Sequence, residues 1–168
     1  MYYLNLVLVS VIFFFPAYAA NSLPVVANGL KLFPSLNKPI HKTLFGKSKT
    51  YRGFVVGMIG ALLVGLIQYY SGWYSQLEYS LLLAFLLGFG ALLGDLIKSF
   101  IKRRIGIKSG DPWIIFDQID YVIGGVLLAY IINPVSLEII ITLLVISPLL
   151  SLGSNMISYS LKIKKVWW

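Results

Sequence analysis

Apolar residues gather into five stretches, at roughly positions 2–27, 53–70, 77–98, 113–132 and 136–158, and polar residues are swept into the segments between them. A helix needs about 20 apolar residues to cross a bilayer core of about 30 Å. The pattern therefore predicts an all-α integral membrane protein of five transmembrane helices in one domain, 1–168. Short turns are predicted at Ser71 to Gln76 and around Asn133-Pro134. Two longer loops, about 28–52 and 99–112, separate the first helix from the second and the third from the fourth. The fourth stretch is uncharged only from Tyr121 to Ile132, so it reaches spanning length only with Asp117 and Asp120 in its first turns. No internal repeat and no low-complexity segment interrupts this layout.

Composition agrees, since 58% of residues are hydrophobic, 12% are charged and the mean hydropathy is +0.84, more than a water-soluble surface can cover. The chain has no cysteine, which excludes disulfides, thiolate metal sites and thiol nucleophiles. Cations then orient the bundle. Lys31, Lys38, Lys42, Lys47, Lys49 and Arg52 lie between the first and second helices, Lys98, Lys102, Arg103, Arg104 and Lys108 between the third and fourth, and Lys162, Lys164 and Lys165 after the fifth. Alternate connections carry none. By the positive-inside rule the N-terminus lies outside the cell membrane, and both long loops and the C-terminus face the cytoplasm. Tyr69, Tyr70, Trp73 and Tyr74 are then placed in the outer aromatic belt. The net charge of +8 is first an orientation signal with some attraction to anionic lipid heads, and no nucleic-acid partner is expected.

Ala17-Tyr18-Ala19-Ala20 resembles a signal-peptidase site behind an apolar run, but no Lys or Arg precedes the run, and a retained first helix is expected. Gly53, Gly57, Ala61 and Gly65 repeat every four positions in the second helix, as Gly90 and Gly94 do in the third. Such stripes let helix backbones approach closely, and they are expected to serve packing alone.

Four of the six acidic residues, Asp95, Asp111, Asp117 and Asp120, fall between positions 95 and 120 among five cations. Asp111-Pro112 reads as an N-cap followed by proline at the first helical position, so the fourth helix is expected to begin there. Trp113, Asp117, Asp120, Tyr121 and Gly124 then share one face, while Asp95 shares a face of the third helix with Gly88, Ala91, Lys98, Ser99 and Lys102. The two helices bring three carboxylates together at the inner edge of the membrane. Like charges there are costly without a cation. Either Lys98, Lys102 and Arg104 pair with them, or they hold a divalent metal, for which hard oxygen ligands point to Mg²⁺. The spacing favours metal for Asp117 and Asp120, then Asp95; Asp111 is equally a ligand or a cap. A metal among carboxylates and cations suits a polyphosphate. Gly46-Lys47-Ser48 has the ending of a P-loop, but His41 stands where the upstream glycine belongs and no strand precedes it.

Two segments carry a family resemblance. "GDLIKSFIKRRIGIKSGDPWIIFDQIDYVIGG" (Gly94 to Gly125) and "KSKTYRG" (Lys47 to Gly53) resemble the archaeal CDP-archaeol synthases, relatives of the bacterial phosphatidate cytidylyltransferases. The broader signature's Ser-x-x-Lys-Arg is matched by Ser99, Lys102 and Arg103, and its Asp-x-x-Asp by Asp117 and Asp120. The chain departs from the bacterial pattern in separating Lys108 from Asp111, in lacking His-Gly-Gly before the final acids and in having Gln118 where that pattern has Arg. The resemblance implies transfer of CMP from CTP to 2,3-bis-O-geranylgeranylglyceryl phosphate, giving the CDP-linked unsaturated archaeol and pyrophosphate, with Mg²⁺ as cofactor. The lipid phosphate is itself the nucleophile and is mostly dianionic near neutrality, its second pKa being about 6, so no general base is required.

On this reading Asp95, Asp117 and Asp120 are metal ligands, with Asp111 a fourth. Lys98, Lys102, Arg103 and Lys108 contact phosphates or anchor the inner leaflet, with Lys102 counted alongside the acids as catalytic. Lys49, Thr50, Arg52 and Gly53 close over the nucleotide. Asn28, Asn37 and Ser48 are candidates to read base or ribose, His41 is expected to be structural, and Tyr51 stacks or anchors. A groove open sideways to lipid is expected beside the three acids. The alternatives are a CDP-alcohol phosphotransferase, whose later aspartates are missing here, and a small cation transporter, which would place carboxylates in mid-membrane.

Overall fold

The computed structural model, which describes residues 1–113 and 116–163, is a bundle of five α-helices. They are α1 Tyr2–Gly29, α2 Tyr51–Tyr70, α3 Leu77–Arg104, α4 Phe116–Ala129 and α5 Leu137–Ser160. Among the described residues the sole extended pairing is an isolated bridge between Pro39 and Thr50. Four of the helices, α1, α2, α3 and α5, are long and apolar enough to cross a membrane.

The fourth helix departs from expectation. It has 14 residues, about 21 Å at 1.5 Å per residue, against a bilayer core of about 30 Å. Asp111, Pro112 and Trp113 are not helical, so Asp111 is not the N-cap of a helix that begins at Pro112. The turn is organised from downstream instead: Trp113 N–H donates to Asp117 Oδ2 at 2.6 Å, and Asp117 N–H donates to the Trp113 carbonyl at 2.8 Å. Ile114 and Ile115 lie outside the described residues. Conversely, α3 runs on to Arg104, so Ser99 to Arg104, predicted as loop, are helix. The cations that marked a loop by composition are favourable at a helix C-terminus, where they meet the negative end of the dipole.

Small residues set the closeness of packing. A methyl group on Gly90 or Gly124 would run into the backbone of the other, and one on Gly94 would strike the Asp120 carbonyl. The α3–α4 crossing is therefore backbone against backbone, and it brings Asp120 beside the turn of α3 that carries Asp95 and Lys98. The α2 stripe packs as expected: Gly57 meets the Ala20 carbonyl of α1 and Leu92 of α3, and Gly65 meets Ala84 and Ser80. Ala17 and Ala20 are fully buried, so the stretch resembling a peptidase site sits in the helix core, in an α1 that continues unbroken through it.

The ends of the helices sort by charge. At one end Ile163, just after α5, packs on Gly29, and Ser48 of the α1–α2 loop meets Ser109 of the α3–α4 loop at 3.4 Å. At the other, the Tyr2 hydroxyl donates to Glu138 at 2.7 Å. The α1–α2 loop folds back on itself: Ile40 N–H donates to the Lys49 carbonyl at 2.8 Å and Tyr51 N–H to the Lys38 carbonyl at 3.0 Å. His41 braces this loop, its Nδ1 lying 3.1 Å from the Thr43 hydroxyl and 3.3 Å from Leu44 N, which is the structural role expected of it.

Candidate functional site

Three turns of helix assemble the charged centre. Asp95, Lys98 and Lys102 lie at i, i+3 and i+7 on one face of α3, and Asp117 and Asp120 lie at i and i+3 at the start of α4. Lys98 stands in the middle: its Nζ is 3.1 Å from Asp95 Oδ1, 2.9 Å from Asp117 Oδ1 and 2.8 Å from Asp120 Oδ2. Its side chain is 11% exposed and that of Asp120 is 7% exposed. The pair with Asp120 is an ion pair without hydrogen-bond geometry, and among the described residues both buried carboxylate oxygens of Asp120 lack a hydrogen bond. Ion pairing by lysine, one of the two alternatives posed by the sequence, is thus the arrangement present. Arg104 takes no part in it and stacks on Phe100 of its own helix, 5.0 Å from the ring centroid.

Lys102, also buried, ties the loop to this centre. Its Nζ donates to the Asp111 carbonyl at 2.6 Å and lies 3.2 Å from both Asp117 oxygens. Asp111 is therefore held through its backbone; it is exposed and lines the same cavity as Lys102 and Asp117. Lys108 is exposed and lines neither of the cavities described below. Arg103 lines one of them, and its Nε is buried with no hydrogen-bond partner among the described residues.

From the other side the α1–α2 loop contributes Lys49, whose ammonium donates to Asp95 Oδ2. Thr50 and Gly53, expected at the nucleotide, are engaged with each other: the Thr50 hydroxyl caps α2 by accepting the Gly53 N–H at 3.2 Å. Arg52 is buried; it donates to the Leu32 carbonyl at 3.1 Å and to Asn28 Oδ1, clamping the start of α2 to the end of α1.

Two cavities meet at this centre. One, of about 740 Å³, is walled by the α1–α2 loop and lined by Asn28, Asn37, Lys47, Thr50, Arg52 and Asp95 among others. The second, of about 880 Å³, has a charged end at Lys98, Lys102, Arg103 and Asp117. It runs between α1 and α5 to Val11, Phe15 and Leu150, of which Phe15 is 53% and Leu150 44% exposed on the flank of the bundle. Asn21, Val25, Ser48 and Lys49 line both cavities. Of the three acids beside which a sideways groove is expected, Asp117 lines this cavity, Asp95 lines the other and Asp120 lines neither.

Sequence reasoning missed the polar floor of the second cavity. The Tyr18 and Ser147 hydroxyls lie 2.7 Å apart, and the Tyr121 hydroxyl donates to the Ser147 carbonyl at 3.2 Å, joining α1, α4 and α5. Ser151, Ser154 and Gln118 also line it. The signal was available as serines at 147, 151, 154 and 158 on one face of an otherwise apolar helix.

As donors, the acids suit Mg²⁺ in kind, being hard carboxylate oxygens that converge, with the buried oxygens of Asp120 lacking hydrogen bonds. Their spacing, however, is set around an ammonium. Among the described residues no group of three or more His, Cys, Asp or Glu side chains is arranged to hold an ion as it stands.

Comparisons with known proteins agree on one family. The model for CarS-like CDP-archaeol synthase matches residues 3–168. The CDP-archaeol synthase of Thermococcus kodakarensis is 40% identical over 163 residues, 91% of each chain. That of Methanocaldococcus jannaschii is 37% identical over the whole of both chains, and that of Methanospirillum hungatei 37% identical over 91% of this chain and 99% of its own. A solved structure described as an intramembrane enzyme for archaeal membrane lipids biosynthesis superposes with a TM-score of 0.77 at 25% identity, covering 89% of this chain and 94% of the other.

Proposed function

Because the chain belongs to the CDP-archaeol synthase family, an enzyme family of CTP-dependent cytidylyltransferases acting on a lipid phosphate, we propose that it forms CDP-unsaturated archaeol from CTP and 2,3-bis-O-geranylgeranylglyceryl phosphate. The single observation that carries this reading is the meeting of two unlike cavities at one charged centre. The less apolar of the two cavities, behind the α1–α2 loop, takes the nucleotide, with Asn28 and Asn37 facing its base or ribose. The cavity between α1 and α5 admits the lipid, tails toward Phe15 and Leu150 and phosphate toward Lys98, Lys102 and Arg103. Their shared wall at Ser48 and Lys49 is where the two substrates touch.

An oxygen of the lipid phosphate attacks the α-phosphorus of CTP, the bond from that phosphorus to the β-phosphate bridging oxygen breaks, and pyrophosphate leaves with the electron pair. The nucleophile is already an anion, so the protein's task is to hold two polyanions in line and offset their charge. Lys49, Lys98, Lys102 and Arg103 do so. Asp95, Asp117 and Asp120 would hold Mg²⁺, with Asp111, which lines the same cavity as Asp117, as a fourth ligand, and the ion would supply electrostatic stabilisation of the triphosphate. The enzyme crosses the cell membrane five times, α4 included, with the N-terminus outside and the charged centre at the cytoplasmic face. Membership of the family ranks this reading above a phosphotransferase or a transporter.

The test is incorporation of radiolabel from CTP labelled at the α-phosphate into a lipid fraction by purified protein given the unsaturated ether lipid phosphate. Label in the lipid, lost on chelation of divalent cations, is the expected result. No transfer to that lipid with any divalent cation overturns the proposal.

A further inference from the structure

Lys98 is one ammonium shared by three carboxylates, from two helices, at 2.8 to 3.1 Å. The three acids share that ammonium as ion pairs, and with Lys49 on Asp95 and Lys102 on Asp117 they face three lysines. The centre is therefore neutral without any ligand. A divalent cation entering it unaccompanied leaves an excess of two positive charges in a partly buried place, and an ion shared by all three acids would take the position that the Lys98 ammonium holds between them. The side chain has somewhere to go, because Lys98 lines the cavity between α1 and α5. We propose that Lys98 is a resident counter-ion that keeps the three carboxylates gathered in the empty enzyme, gives up its place to the divalent cation, and turns its ammonium into the cavity toward the phosphate that arrives there. The inference rests on the assignment of these acids to a divalent cation.

Two consequences separate this role from a purely structural ion pair. Metal binding to the wild-type protein is weak alone and strengthened by CTP, whose negative charge offsets the excess, and by linkage CTP binding is strengthened equally by metal. Removing the ammonium leaves the acids in surplus, so the metal then binds without waiting for nucleotide.

The experiment titrates Mn²⁺ into full-length detergent-solubilised protein, reading free ion by electron paramagnetic resonance, for wild type and Lys98→Gln with and without CTP. Lys98→Gln is expected to bind Mn²⁺ at least about tenfold more tightly than wild type in the absence of CTP, the factor by which a competing occupant that fills the site most of the time lowers apparent affinity. CTP is expected to improve its affinity less than it improves that of wild type. Equal or weaker affinity in folded Lys98→Gln overturns the proposal. If the variant does not fold, reductive methylation of the wild type decides. The rate at Lys98, read by mass spectrometry against exposed Lys42, is expected to rise several-fold when Mn²⁺ alone is added; an unchanged rate overturns the proposal. Wild-type protein that binds no Mn²⁺ even with CTP refutes the metal assignment itself, a result distinct from a metal that binds while Lys98 stays in place.

Discussion

Asp117 and Asp120 are one helical turn apart, yet their surroundings predict different failures when each loses its charge. Asp117 accepts the Trp113 N–H and both lysines, so it organises the turn into α4 as well as the charged centre. Asp120 is more deeply buried, and among the described residues its oxygens make no hydrogen bond, so its work is confined to the centre. Changes one shell out from a bound metal cost about 10- to 100-fold, and neutralising a ligand costs at least the upper end of that. Asp120→Asn and Asp117→Asn are each expected to lower cytidylyl transfer by about 100-fold or more while circular dichroism stays helical. Asp117→Asn should also lower the Tm more than Asp120→Asn does. Near wild-type rates in both would remove these acids from the mechanism.

Arg52 lines the cavity proposed for the nucleotide and has a structural task as well. As a cation in a resembling motif it was expected at the nucleotide; buried against Asn28 and Leu32, it holds the loop that carries Lys47 to Thr50. Arg52→Ala removes two hydrogen bonds from a charged donor, a loss of about 1–3 kcal/mol, and lets that loop drift. A lower Tm together with a raised KM for CTP is expected, and Arg52→Lys should restore little, since one ammonium does not reproduce the two-pronged guanidinium. An unchanged Tm with a changed KM would return Arg52 to direct substrate contact.

At the scale of elements, the hydropathy pattern located all five helices, because transmembrane runs are the strongest periodic signal a chain carries. What it misplaced were the two ends that build the site. Ser99 to Arg104 read as loop by charge, but Lys102 is neutralised by an acid on α4, a contact that no local window contains. Asp111-Pro112 read as a helix start, but Asp117 bonds back to Trp113 and sets the turn later. The glycine stripe was legible as packing; its consequence, that the α3–α4 crossing fixes where Asp120 sits, needed the partner helix. That consequence predicts an activity loss larger than the stability loss. Gly124→Ala forces the helices apart where backbones touch, costing about 1–3 kcal/mol as overpacking does, and a shift of about 1 Å in a reacting geometry is worth about 100-fold in rate. Gly153→Ala in α5, which meets nothing within 4 Å, is the control and should be neutral or slightly stabilising. Equal effects on activity at the two glycines would mean that the crossing does not position the acids.

For the whole molecule the open question is direction, and the chain's lack of cysteine makes it answerable with single thiols. The basic loops and residues 161–163 after α5 lie at one end of the bundle, and the positive-inside rule assigns that end to the cytoplasm. The helix that tests the assignment is α4, since its 14 residues reach about 21 Å and the turn after it must come out on the far side if the chain crosses five times. Its shortness is offset where α3 packs along it through glycine, and before it Asp111 and Trp113 are tied to Lys102 and Asp117. Ser35, Ser75 and Pro134 are all exposed and sit in the α1–α2, α2–α3 and α4–α5 connections. In intact cells a membrane-impermeant maleimide is expected to label Ser75→Cys and Pro134→Cys at once, and Ser35→Cys only after permeabilisation. Labelling of Pro134→Cys only after permeabilisation, with Ser75→Cys still labelled at once, would make α4 a re-entrant element and return the chain to four crossings. Reversal at all three positions would move the charged centre to the outer face, away from cytoplasmic CTP, and sink the proposed reaction.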